Sequence, residues 1–99
     1  MKLRILPSAI EDLADGFTFY ENHEKGLGSY FLETLFSDID SIRLYAGIHP
    51  KVFGYHRLLS KRFPYAVYYS KESQTVFVNA VLDCRRNPDW IRARLDEAK

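Results

Sequence analysis

The residues best equipped for chemistry lie late in the chain. The run from Arg62 to Trp90, RFPYAVYYSKESQTVFVNAVLDCRRNPDW, passes out of a β-type segment at Asp83-Cys84-Arg85-Arg86-Asn87-Pro88, so two guanidinium groups leave a sheet edge side by side. Arginine offers a rigid, permanently charged fork that matches phosphates and carboxylates. His56, Arg57, Lys61 and Arg62 precede an aromatic segment holding Tyr65, Tyr68 and Tyr69, and Trp90 follows the paired arginines. Cations grip phosphates and rings stack on bases, so this mixture suits RNA or an acidic protein surface. The competing reading is structural. Tyrosines on a sheet pack its core, and Arg85 or Arg86 pairs with Asp83 or Asp89, so at least one of the two arginines is expected to hold the fold rather than a ligand.

Other chemistries find less support. Cys84 is flanked by Arg85 and Arg86, whose charges would lower its pKa and favour a nucleophile. A lone cysteine at a strand end equally reads as a small buried hydrophobe. His23, His49, His56 and Cys84 have no mutual spacing of two to four residues, so no metal site is expected. The glycines at 16, 26, 28, 47 and 54 fit neither a phosphate loop nor a dinucleotide fingerprint, and no cofactor is expected.

Elements of a single domain, residues 1–99, must position these groups, and a chain of this size buries about two-thirds of its unfolded surface. A hydrophobic fraction of 46% and an aromatic fraction of 15% exclude a disordered chain. No apolar run approaches the roughly 18 residues of a membrane span. The first residues turn acidic at once and carry no signal-peptide pattern, and one cysteine suits a reducing compartment, so a cytoplasmic protein is expected. The net charge of +1 conceals an asymmetry: residues 1–45 hold eight acids and four bases, residues 46–99 ten bases and five acids, and no acid lies between Lys51 and Lys71. A basic surface built from the second half follows.

Lys2 to Leu6 alternates polar and apolar residues and predicts a short strand, stopped by Pro7. Ser8-Ala9-Ile10-Glu11 matches a capping box, and Ile10, Leu13, Ala14, Phe17 and Tyr20 predict an amphipathic helix to about Glu21, weakened by Gly16. After a turn over Asn22–Gly28, the stripe Leu27, Phe31, Leu35, Ile39 and Ile42 predicts a longer helix ending at Gly47 and Pro50, completing an αα-hairpin. Strands are expected over Phe53–Leu59, Tyr65–Ser70 and Thr75–Leu82, with Lys71–Gln74 as a hairpin loop. In the last strand Val76, Val78, Ala80 and Leu82 are assigned to one face and Phe77, Asn79 and Val81 to the other, which makes it central and covered on both sides. Pro88 opens a short last helix. The order predicts an α+β domain: an N-terminal strand, an αα-hairpin, a mostly antiparallel sheet of three further strands, and a short C-terminal helix.

This order, with RFPYAVYY, the hairpin and VFVNAVLDCRRNP before a short helix, resembles the RelE/ParE superfamily of toxins from bacterial type II toxin–antitoxin (plasmid stabilisation) modules. The resemblance covers nearly the whole chain and is most specific at Phe63-Pro64-Tyr65 and from Val81 to Pro88. It implies one of two targets. RelE-type members enter the ribosomal A site and cleave mRNA with basic groups; ParE-type members inhibit DNA gyrase and cleave no RNA. It also implies a cognate antitoxin that wraps the toxin, and a homodimer or a toxin–antitoxin hetero-oligomer. Carried over by position, the arginine that the ribonucleases place after the tyrosine of the aromatic strand falls at Ala66. A tyrosine of the last element falls near Trp90, and a second lysine near Leu59. Arg57 matches one lysine and Arg86 a phosphate-binding arginine, while His56 would supply a base from a rearranged site. The resemblance thus implies a ParE-like toxin that binds gyrase through Arg57, Lys61, Arg62, Arg85, Arg86 and Trp90. The alternatives are a ribosome-dependent endoribonuclease using His56, Arg57 and Arg86, and a non-toxic member that only binds a partner. An amphipathic antitoxin segment would dock against the last strand and the helical hairpin, with an acidic tail complementing the basic half.

Overall fold

The computed structural model describes residues 1–97. Strand β1 (Lys2–Ile5) runs into helix α1 (Pro7–His23) and helix α2 (Leu27–Tyr45); β2 (Lys51–Val52), β3 (Tyr55–Leu59), β4 (Tyr65–Glu72), β5 (Thr75–Asp83) and α3 (Pro88–Glu97) follow. The α+β class and the segregated helical hairpin are as expected from the sequence. The sheet has four strands after the hairpin rather than three. Phe53 and Gly54, at φ +55° and +88°, turn the chain back between β2 and β3, so the predicted strand from Phe53 begins instead at Tyr55. The sheet order is β1-β5-β4-β3-β2, antiparallel throughout except for the parallel β1–β5 pair.

The start of α1 departs from the capping box. Pro7 is itself the first helical residue, where its fixed φ is already helical. That places Ser8 inside the first turn, and its hydroxyl donates instead to the Asn79 carbonyl on β5 at 3.1 Å. The buried stripe of α1 is Ala9, Leu13 and Gly16, with half-buried Tyr20, rather than the stripe led by Ile10. Small residues allow the close approach. A Cβ on Gly16 would lie 2.5 Å from Cζ of Phe31, and one on Gly28 would lie 2.7 Å from the Phe17 carbonyl oxygen. At the α1–α2 turn, the Glu21 carboxylate accepts the Gly26 and Gly28 amides at 3.0 Å and supplies the missing cap of α2. The α2 stripe Phe31, Leu35, Ile39 and Ile42 is buried as its period predicts.

β5 is an interior strand, between β1 and β4, and a bulge divides it. Tyr68 pairs with Ala80 while Tyr69 pairs with Val78, leaving Asn79 as the extra residue. The bulge reverses the side-chain alternation. Val76, Val78 and Val81 pack against the helical hairpin, whereas Ala80 and Leu82 join Ile91 and Leu95 of α3 on the opposite face. The uninterrupted assignment of Val76, Val78, Ala80 and Leu82 to one face is therefore corrected. Asn79 is buried, with its amide oxygen accepting the Ser70 hydroxyl at 3.3 Å. The helical hairpin covers Val76, Val78 and Val81, α3 covers Ala80 and Leu82, and Phe77 stays half-buried.

Candidate functional site

The cations singled out in the sequence are dispersed by the fold. Adjacent residues of β3 point to opposite faces of the sheet. His56 stacks on Tyr69, on the hairpin side, with ring centroids 5.1 Å apart, and its Nδ1 donates to the His49 carbonyl at 2.7 Å. Arg57 faces the other way, opposite Tyr68, with a buried Nε that has no hydrogen-bond partner. Lys61 and Arg62 are exposed on the β3–β4 connection, and Arg62 reaches toward the hairpin, donating to the Tyr30 hydroxyl at 2.7 Å. Arg85 closes a two-point contact on Asp83, at 3.0 Å to one carboxylate oxygen and 2.7 Å to the other. This contact, led by the Arg85 side chain, holds the Asp83 carboxyl below its usual range. Arg86 lies over the Trp90 ring, 4.2 Å from its centroid. One arginine of the pair is thus engaged within the protein, and the other is stacked at a surface.

Cys84 differs from both sequence readings. Its residue is exposed rather than buried, yet local desolvation pushes the thiol pKa up, against a pull from Arg57. Arg85 turns to Asp83 and Arg86 to Trp90, so neither activates it. Ala66, where the ribonuclease resemblance would require an arginine, is fully buried under α3. Among the described residues, no three His, Cys, Asp or Glu side chains converge as metal ligands, and no helix is long and apolar enough to cross a membrane.

Two arrangements were not visible in the sequence. The first surrounds Tyr69, whose hydroxyl accepts the Gly47 amide at 3.1 Å and bonds Nδ1 of His49. Burial, then the neighbouring His56, lower the His49 pKa below 6.5. A histidine less basic when folded binds fewer protons in the native state than in the unfolded chain. Stability is therefore complete above the unfolded pKa and falls as pH drops from about 6.5 toward the lower folded value. Thermal melts between pH 7.5 and 5 should show Tm falling with pH, with a shallower fall in His49→Gln. Equal slopes would remove His49 as the cause.

The second is a groove of about 770 Å³ between α1 and α3, floored by the C-terminal half of β5. Glu11, Asp12, Asp15, Asp83 and Glu97 contribute carboxylates to it, against the guanidinium groups of Arg86 and Arg94. Asp12 and Arg94 form an inner pair. Nη2 of Arg94 lies 2.8 Å from one Asp12 oxygen and 2.9 Å from the other, and also donates to the Ser8 carbonyl at 3.0 Å. The same carboxylate accepts the Val81 amide at 3.0 Å. Burial raises the Asp12 pKa, opposed by the Val81 amide and by Arg94. No local signal could reveal this pair, whose members stand 82 residues apart. The groove beside β5 is predominantly acidic, although residues 46–99 taken together are basic.

No family model and no curated relative matches the chain. A chain of the solved structure of the chromosomal ParDE TA system from P. aeruginosa superposes with a TM-score of 0.73 at 14% identity, over 82% of this chain and 92% of that one. The likeness is one of fold: strand, helical hairpin, mostly antiparallel sheet and C-terminal helix.

Proposed function

We propose that this protein is the toxin of a type II toxin–antitoxin pair, of ParE-like type. It acts in the bacterial cytoplasm by binding, with DNA gyrase as its target, and a cognate antitoxin silences it. The observation that carries this reading is the shared fold with a chain of a ParDE system, over 82% of this chain and 92% of that one. The placement of the side chains favours binding over catalysis. His56 and Arg57 stand on opposite faces of the sheet, Arg85 is held by Asp83, and Ala66 is buried. A ribonuclease needs a base and a phosphate-binding cation within hydrogen-bond reach of one reacting hydroxyl. Loss of such positioned groups costs about 10²-fold or more each. The target-binding residues in this reading are Arg57, Lys61, Arg62, Arg85, Arg86 and Trp90, which lie on separate parts of the molecule, with Arg85 held by Asp83.

The ribosome-dependent ribonuclease is the second reading, favoured by one observation: the buried Arg57 Nε without a partner, on the face that α3 partly covers. Induced expression without antitoxin, read together as growth, plasmid supercoiling and mRNA integrity, separates the two. The expected result is growth arrest with altered supercoiling and intact mRNA. Codon-positioned cuts would transfer the activity to the ribonuclease reading, and undisturbed growth would leave a binding protein with this fold.

A further inference from the structure

β5 carries an unfinished edge. β1 pairs with it only from Thr75 to Val78, so the backbone from Asn79 to Asp83 has β4 on one side and the α1–α3 groove on the other. The register and the Cys84 amide bonded to the Pro64 carbonyl at 2.7 Å turn the peptide groups of Val81 and Asp83 away from β4. Side chains and a turn satisfy part of this edge. Ser8 donates to the Asn79 carbonyl, Asp12 accepts the Val81 amide, and the Arg86 amide donates to the Asp83 carbonyl. The Val81 carbonyl and the Asp83 amide remain, an acceptor and a donor flanking Leu82. That spacing matches the amide and carbonyl of one residue in an added extended chain.

The walls define what such a chain must carry. Arg94 is neutralised by Asp12, Asp83 by Arg85, and Arg86 rests on Trp90. Glu11 and Asp15 of α1 and Glu97 of α3 line the groove and form no ion pair among the described residues. Phe19 and Trp90, 47% and 40% exposed, offer apolar surface beside them. We propose that this groove receives an extended, cationic segment of a partner protein. Its backbone continues the sheet at Val81 and Asp83, and its arginine or lysine side chains meet Glu11, Asp15 and Glu97. That the segment belongs to the silencing partner rests on the function proposed above; the groove and its charge preference do not.

The test uses the full chain and two labelled octapeptides, alternating Arg-Val and alternating Glu-Val, titrated by fluorescence anisotropy and by amide chemical shifts. The Arg-Val peptide should bind and move the Val81 and Asp83 signals, and the Glu-Val peptide should not. Affinity should fall about tenfold or more in the double variant E11Q/D15N, and stay within about twofold in the control E33Q/D40N on α2. Alternate N-methylation of the Arg-Val peptide should cost a similar factor by removing backbone donors. Binding insensitive to E11Q/D15N, an equal effect of the α2 control, or unmoved Val81 and Asp83 signals would overturn the proposal. So would self-association of the chain that E11Q/D15N abolishes, which would assign the groove to a second copy. Growth arrest with no peptide binding would sink the groove and spare the toxin reading. Peptide binding without growth arrest would do the reverse.

Discussion

Replacing Asp12 by alanine should lower the unfolding free energy by about 3–5 kcal/mol, a large share of the roughly 5–15 kcal/mol that holds a domain of this size together. The carboxylate bonds the edge amide of Val81 on β5 and the guanidinium of Arg94 on α3. The side chains of Asp12 and Arg94 are only 11% and 16% exposed, so solvent cannot replace either contact. Truncation would leave the Val81 amide without a partner and the buried Arg94 cation with only the Ser8 carbonyl and no countercharge. The pair itself is worth far less than its rupture, because both charges were taken from water to form it. The double variant D12L/R94M should therefore regain the part of the loss that comes from the unpaired cation, while the Val81 amide still lacks its acceptor. Urea unfolding of D12A, R94M and the double variant forms the cycle. A loss below about 1 kcal/mol in D12A would mean that water already screens the pair.

The second large effect is at Phe31. Truncation to alanine should cost about 3–5 kcal/mol. The ring is fully buried, with centroids 5.2 Å from Tyr20, 5.2 Å from Phe63 and 4.9 Å from Tyr65, so it joins α1, α2 and the start of β4. Its tip lies against Gly16, and this contact makes a reciprocal test available. Alanine at position 16 gains up to about 1 kcal/mol of helix propensity, but its methyl would overlap the ring and cost about 1–3 kcal/mol through strain. Gly16→Ala alone should therefore destabilise, while G16A/F31L should be more stable than F31L alone. Additive effects in chemical denaturation would show that the ring moves aside without strain.

The fold was legible wherever a period ran uninterrupted. The α2 stripe and the aromatic run of β4 appear where their spacing places them, because each buries one continuous face or strand. Legibility failed where one residue changed the phase. Asn79 shifts the second half of β5 onto the other face, and nothing in the run VFVNAVLD marks the extra residue. In α1, the contacts of Asp12 with the Val81 amide and of Gly16 with Phe31 accompany a stripe that keeps Leu13 and Tyr20 but buries Ala9 and Gly16 in place of Ile10, Ala14 and Phe17. The site residues divided along similar lines. The contact of Arg85 with Asp83 is local and is among the pairings that the sequence offers. The stacking of Arg86 on Trp90, one helical turn apart, needed the start of α3 in place. The acidic groove joins residues from both ends of the chain, which no local spacing connects.

The parallel pairing of β1 with β5 sets an order in time. Ser8 meets Asn79 across 71 residues, and Arg94 returns to Ser8 across 86. On a ribosome that adds about 5–20 residues per second, the first strand is exposed for seconds before its partner exists. The helical hairpin can form meanwhile, since its contacts are local, whereas closing the sheet must overcome the entropy of a long loop. A copy interrupted before Thr75 retains the hairpin but lacks the strand that joins the two layers. Its interaction surfaces therefore assemble only when synthesis is nearly complete.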